Sequence, residues 1–342
     1  MAYTTIDDPS VYFQTTLYTG NATNSTAITN TGNSDLQPDW LWIKNRSSTG
    51  GVGPHFVVDS SRGANKDFHT NNDEAEHTTT NAVKSFNSDG FTIDSGGTVN
   101  NNTDNYVSWQ WKCNGGTTAS NTDGNLTTTV QVNQDAGFSI VLWTSTGSSD
   151  TIGHGLGATP KVIMEKSRSA TTDWTYFTSA GSRKLLFLNT SNAVTTSFSG
   201  VSDVGSSIFT DGNGGTDTRV AWCFAEKQGY SKFGIYTGNG NADGPFIYTG
   251  FKPAWVLFKN LTSGHDWRIL DNKRNTFNSN NTDLRPNNSD ADSSGSDMDF
   301  LSNGIKMRDT DGDLNENGSE HFYMAFADNP FVSSKGVPTT AR

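Results

Sequence analysis

The chain has 342 residues and a formal net charge of −11; 32% of residues are hydrophobic and 17% charged, and Gly, Asn, Ser and Thr fill much of the remainder. No Lys/Arg cluster offers the basic face that a phosphate backbone needs, which excludes nucleic-acid binding, and no run of about 18 apolar residues is present to cross a bilayer. Nine Trp and twenty Phe, gathered in short alternating runs, exclude disorder of the whole chain, because each can bury a large apolar area.

The start, Met1-Ala2-Tyr3-Thr4, is neither basic nor apolar and predicts a protein made without a signal peptide. The first element is an entry strand ending at Leu17-Tyr18-Thr19-Gly20. A proline then leads an apolar strand that closes on a lysine, Pro38-Asp39-Trp40-Leu41-Trp42-Ile43-Lys44. Proline suits the first residue of a strand, and the nearly continuous apolar run predicts cover on both faces. Asp59-Ser60-Ser61-Arg62 reads as a strand-end ion pair or turn in preference to a catalytic pair. The only helical candidate runs from Asp73 to Lys84. His69 and His77 flank Asp73, Glu74 and Glu76 but lack H-E-x-x-H spacing, so this stretch reads as a solvated polar loop. An Asp89-Gly90 turn follows Phe86. The closing strand Tyr106-Val107-Ser108-Trp109-Gln110-Trp111-Lys112 places Trp109 and Trp111 on one face and the small Ser108 on the other.

A polar segment from Asn114 to Gln134 leads into a second copy of the same signatures. Its entry strand is Leu142-Trp143-Thr144, its proline-led strand Pro160-Lys161-Val162-Ile163-Met164-Glu165-Lys166, and its closing strand Val220-Ala221-Trp222-Cys223-Phe224-Ala225. His154, in Gly153-His154-Gly155-Leu156-Gly157, sits where the other copies have a turn and reads as a turn residue. A third copy follows almost without a linker after Glu226-Lys227-Gln228-Gly229-Tyr230. It repeats Ile235-Tyr236-Thr237-Gly238, Pro253-Ala254-Trp255-Val256-Leu257-Phe258-Lys259, Asp271-Asn272-Lys273-Arg274, the Asn303-Gly304 turn and Tyr323-Met324-Ala325-Phe326-Ala327. Three recurrences in one order predict an all-β chain of three tandem, diverged β-sandwich (jelly-roll-like) units spanning 1–130, 131–229 and 230–332, with a polar tail over 333–342.

Chemistry is sparse. There is no G-x-S-x-G elbow, no Walker pattern, no C-x-x-C and no obviously placed carboxylate pair, so the chain is expected not to be an enzyme; a cleft with two converging carboxylates would reopen that reading. Cys113 and Cys223 are far apart in sequence and read as free thiols. From Asp309 to Glu320, acidic and amide residues alternate, and Asp309, Asp311, Asp313, Asn315 and Glu320 form a calcium-loop candidate. It competes with a plain hairpin loop, because Leu314 stands where an EF-hand needs glycine. No other cofactor is implied. Trp143, Trp174 and Trp267 are candidates for stacking on sugar rings, weighed against the alternative that they are core.

The phrases Tyr12-Phe13-Gln14-Thr15-Thr16-Leu17-Tyr18-Thr19-Gly20, Pro38 to Arg46, Ala136-Gly137-Phe138-Ser139-Ile140-Val141, Gly153 to Gly157 and Gly250-Phe251-Lys252-Pro253-Ala254-Trp255 together resemble a family of structural proteins of tailed bacteriophages that infect marine bacteria. The resemblance covers about Tyr12 to Phe331, and some relatives resemble concanavalin-A-like sandwiches. It implies a virion component assembled in the host cytoplasm, either a short tail appendage or fibre module or a capsid-bound knob. Its partners would be other virion proteins and further copies of itself, with host-surface glycan as a second contact. A free carbohydrate-binding protein is the competing reading.

Overall fold

The computed structural model describes residues 2–47, 53–195 and 200–339. Each unit pairs two antiparallel sheets: a large one with a small one in the first and second units, and two of four strands in the third, where the sheet of the proline-led strand takes the place of the large one. In the first unit the large sheet runs in the order Phe13–Thr19, Asn105–Trp111, Trp40–Asn45, His55–Asp59, Gly63–His69 and His77–Thr78; the small sheet holds Thr26–Ile28, Phe91–Ile93 and Val83–Phe86. The second unit has a seven-stranded sheet around Phe138–Thr144, Thr218–Phe224 and Val162–Ser167. The third has a four-stranded sheet around Ser231–Thr237, Glu320–Pro330 and Phe251–Asn260. In all three the closing strand lies between the entry strand and the proline-led strand, and the registers correspond: Trp40 faces Trp111, Val162 faces Phe224, and Trp255 faces Phe326.

The three units are therefore β-sandwiches, as the repeats predict, with local differences. Ala119–Asn121 and Thr128–Asn133 pair onto the second unit's sheet, so that unit begins earlier than residue 131. The helical candidate over Asp73 to Lys84 is not a helix: most of it is loop, and the strands His77–Thr78 and Val83–Phe86 take up the rest. Pro253 lies inside its strand, at register shifts on both sides, where a bulge removes the need for its missing N–H. In the tail, the Ser334 side chain bonds Asp7 and the Thr339 hydroxyl donates to the Pro330 carbonyl.

Alternation along the proline-led strands divides each large sheet between two cores. Leu41 and Ile43 pack inward against the first unit's own small sheet, as Ile163 and the pair Val256 and Phe258 do in the second and third. The opposite faces, carrying Trp40, Trp42, Val162, Met164, Trp255 and Leu257, join one shared cluster. The units are thus not strung in a row, as expected from the sequence, but closed around a common centre. Trp111, Phe224 and Phe326, one from each closing strand, form a triangle there with ring centroids 5.6 to 6.5 Å apart. The small residues on the reverse of those strands, Ala221 and Ala325, admit the small sheets closely.

The seams between units repeat as faithfully as the strands. The signature lysine is buried in every copy and donates to a loop carbonyl of a neighbouring unit: Lys44 to Ser289, Lys166 to Asp73, and Lys259 to Ser191. Three residues beyond each acceptor, the backbone N–H of Asp292, Glu76 or Val194 donates to the carbonyl of Arg46, Arg168 or Leu261. Four residues before each acceptor, a further carbonyl faces a ring of the neighbouring unit: His69 accepts from the Trp174 indole, Phe187 accepts from the Trp267 indole, and Arg285 meets His55. The direction, first unit to third to second to first, makes a closed cycle.

Two seams also carry ion relays. Arg62 bonds Asp59 at 2.6 Å and Glu76 at 3.0 Å, and Glu76 holds Arg168 of the second unit at 2.8 Å. Arg274 bonds Asp271 at 2.6 Å and Asp292 at 3.0 Å, and Asp292 holds Arg46 of the first unit at 2.7 Å. At the remaining seam Gly181 stands in the arginine position. A Cβ there would meet the Ile235 side chain at 2.8 Å; Leu261 and Val194 supply apolar contact, and the single ion pair Lys184–Glu320 crosses in place of a relay.

Candidate functional site

Because the three units share one framework, each serves as a control for the others: what the sandwich requires recurs, and what one copy alone carries needs another cause. The second unit differs most in its interior. Glu165 occupies the position of Ile43 and Phe258, one before the signature lysine. Arg219 occupies that of Tyr106 and His321, opposite Ser167, Asn45 and Asn260. Asp211, two residues after Phe209, corresponds to Ile93 and Met307. A buried charged group thus replaces largely apolar neighbours.

Its geometry is tight. Arg219 Nη1 lies 2.5 Å from Glu165 Oε1, its Nη2 2.9 Å from Asp217 Oδ2, and its Nε 3.6 Å from Asp211 Oδ2. Asn213 Nδ2 donates to both Glu165 oxygens, at 3.1 and 3.0 Å. One guanidinium cannot neutralise three carboxylates. Burial, followed by the Asp211 charge, pushes Glu165 up to about 7 against the pull of Arg219. The group borders a cavity of about 210 Å³ whose walls include Ser167, Thr175, Asn213 and Phe187. Its wall mixes hydrogen-bonding groups with apolar surface. Glu165 and Asp211 converge on Arg219, which makes them members of an ion network in preference to a free acid–base pair.

The residues singled out in the sequence take other roles. Trp174 and Trp267 are fully buried, with indoles committed to the seams described above. Trp143 is 5% exposed, packs in the second unit's local core and donates to Asp211 at 3.3 Å. None presents a face on which a sugar could stack, so the core reading of these three replaces the glycan reading.

The residues of the calcium-loop candidate are likewise bonded within the chain. Asp309 accepts the backbone N–H groups of Thr310 and Asp311, Asp311 caps the short helix Gly312–Asn315, and Asp313 pairs with Arg268 and His265. Glu320 pairs with Lys184 at 3.2 Å. Asn315 bonds the carbonyls of Asp309 and Asn241 as Asn100 bonds those of Asp94 and Thr23 in the first unit. The amide thus brackets a loop in both copies, whether or not an acidic ladder surrounds it. His154 follows the strand Asp150–Gly153 in an irregular segment and not in a turn, with its Nε2 3.2 Å from the Gly205 carbonyl. Cys113 and Cys223 are free and buried, and burial pushes both thiols up. The Asp59/Arg62 and Asp271/Arg274 ion pairs form as read.

Two features escaped the sequence reading. The third unit exposes Phe246 (47%) and Tyr248 (53%) on the strand Phe246–Tyr248, whose Ile247 points inward. The matching positions, set by Ile28 and Ile152 in the other small sheets, are Ala27 and Thr29, and Thr151 and Gly153. Comparison of these triplets carries the signal. The second is a group on the first unit: Asp67, His69 and His77 bring their ligand atoms within 4.8 Å of one another, and they form the one such His/Cys/Asp/Glu group among the described residues.

The fold and seams define an all-β protein of three sandwiches sharing a single aromatic core. Residues 8–330 match the family model described as a domain of unknown function, DUF7483, and the chain belongs to that family. A comparison with curated proteins finds no match.

Proposed function

We propose that this chain is a structural protein of a tailed-phage particle, displayed at the surface and acting through contact with other virion subunits. The observation that carries the reading is the aromatic ridge of Phe246 and Tyr248. The sandwich does not need it, since two sister copies fold with small or polar residues there, and exposed aromatics are characteristic of protein contact surfaces. The signature phrases that resemble phage structural proteins support the particle setting. A body locked by three repeated seams suits a rigid knob at a tail or on a capsid, and a short appendage module is the preferred placement. Contact chemistry in place of catalysis accords with the commitment of Glu165 and Asp211 to Arg219.

Cryo-electron microscopy of the intact particle tests this directly. The expected result is density for the three-unit body with the Phe246/Tyr248 ridge against a neighbouring subunit, and lower incorporation of the Phe246→Ser/Tyr248→Ser variant. Absence of the chain from purified particles would overturn it. The cavity beside Glu165, whose wall carries Ser167, Thr175 and Asn213, favours a second reading, a carbohydrate-binding protein. Saccharide binding that is lost in Asn213→Ala, by a chain absent from particles, would select that one.

A further inference from the structure

We propose that Asp67, His69 and His77 form a binding site for a divalent transition metal of the zinc class, fastening the first unit's outer loop at its seam with the second unit. Asp67 and His69 lie on the strand Gly63–His69, and His77 opens the strand His77–Thr78 that pairs beside it. Strand geometry brings the three together: residues two apart share a face, and Asp67 is directly opposite His77.

The distances suit a metal. Asp67 Oδ2 lies 3.5 Å from His69 Nε2 and 3.5 Å from His77 Nδ1. A tetrahedral ion with bonds of about 2.0–2.2 Å sets its ligand atoms roughly 3.3–3.6 Å apart. At 3.5 Å these pairs are long for direct hydrogen bonds, yet match two edges of such a tetrahedron. The two imidazoles approach at 5.0 Å between centroids with planes 68° apart, not stacked. Glu74 Oε2 is 3.4 Å from His77 Nε2, the place of a carboxylate that orients a ligating histidine. Two imidazoles and a carboxylate, with a coordination position left for water, suit zinc and its neighbours better than calcium.

An independent observation is the state of Asp67 itself. Its side chain is 0% exposed, and neither carboxylate oxygen has a hydrogen-bond partner. A buried carboxylate without a bond is costly. The sister copies show two ways of avoiding that cost. Counting from the seam carbonyls of His69, Phe187 and Arg285, the matching residues are Leu185 and Asp283. Leu185 carries no charge, and Asp283 is paired with Arg268. The first unit has Phe56 where the third has Arg268, so Asp67 is left with only the two histidines. A dication supplies the missing positive charge.

The site would have a mechanical consequence. The loop between His69 and His77 supplies the Asp73 carbonyl that receives Lys166 and the Glu76 carboxylate that receives Arg168. Joining His77 to Asp67 and His69 closes that loop at its base and holds both acceptors in register.

The test uses the full chain, stripped with chelator and titrated with Co²⁺ and then Zn²⁺ near neutral pH. The expected result is one Co²⁺ per chain with the visible absorption of a four- or five-coordinate site, displacement by Zn²⁺, and a raised melting temperature with metal. Asp67→Asn and His77→Gln should each weaken binding by more than about 100-fold, since loss of outer-sphere partners alone costs 10–100-fold. His77 is partly exposed, with side-chain accessibility of 35%, so His77→Gln remains informative if Asp67→Asn fails to fold. No absorbance beyond that of free Co²⁺, or unchanged affinity in His77→Gln, would overturn the assignment in favour of a carboxylate–imidazolium cluster.

Discussion

At the residue scale, the buried lysines illustrate how a conspicuous sequence feature can hide its role. Lys44, Lys166 and Lys259 stand out next to the last residue of each proline-led strand, where an exposed strand end is the ordinary reading. Instead each ammonium bonds one backbone carbonyl of a neighbouring unit and one of its own unit. Replacing any one with Met should cost about 1–3 kcal/mol by removing these hydrogen bonds from a charged donor. The pH dependence is more specific. Burial lowers all three lysines to about 8, against 10.5 in the unfolded chain. Below about 8 both states are protonated, whereas between 8 and 10.5 only the unfolded state holds the proton, so this contribution grows as pH rises. It is fully present above 10.5 and lost as pH falls through 8. Urea unfolding should therefore show the stability gap between the native chain and Lys166→Met widening from pH 7.5 to 9.5. Glu165 has the opposite sign. Raised to about 7, it contributes stability that is present below 4.5 and lost as pH rises through 7. Glu165→Gln should thus flatten the decline between pH 5 and 8, by about 1–3 kcal/mol in unfolding free energy.

At the scale of elements, the strands were legible because their alternation is strict. The Trp109/Trp111 stripe and its counterparts named the bulky aromatic face of each closing strand, and the Asp89-Gly90 turn placed the small sheet. Gly90 shows why that turn is fixed: its φ is +87°, and a Cβ there would meet the Ile28 carbonyl oxygen at 2.0 Å. What alternation could not convey was the partner of each face. A strand apolar on both sides requires two cores but does not say that the second core belongs to all three units, so Trp174 and Trp267 could be mistaken for surface aromatics. The cavity beside Glu165 was hidden for a related reason. Its residues come from strands and loops between Glu165 and Arg219, and only the register reveals that the sister copies have apolar groups there. The Asp67 site needed the same knowledge, because the pairing of His77 opposite Asp67 is a property of the sheet. The central triangle has a direct test. Trp111→Ala should cost about 3–5 kcal/mol, and hydrogen exchange should show lost protection in the closing strands of the second and third units as well as the first. Loss confined to the first unit would argue against a common core.

At the scale of the molecule, three copies that could have been independent beads are bound into a single body. Each large sheet buries its outward-facing tryptophans and phenylalanines only because the other two units cover them. The repeated bonds, lysine to loop carbonyl and backbone across the seam, fix each unit against its neighbours. A tandem array would tolerate removal of an end unit, whereas this ring leaves an exposed aromatic face wherever a unit is missing. Differential scanning calorimetry of the full chain is the most direct measurement of that difference. The expected result is one transition with matching calorimetric and van't Hoff enthalpies, as for a single cooperative unit. Three separable transitions, or a first unit that folds with the same melting temperature when expressed alone, would contradict the shared core.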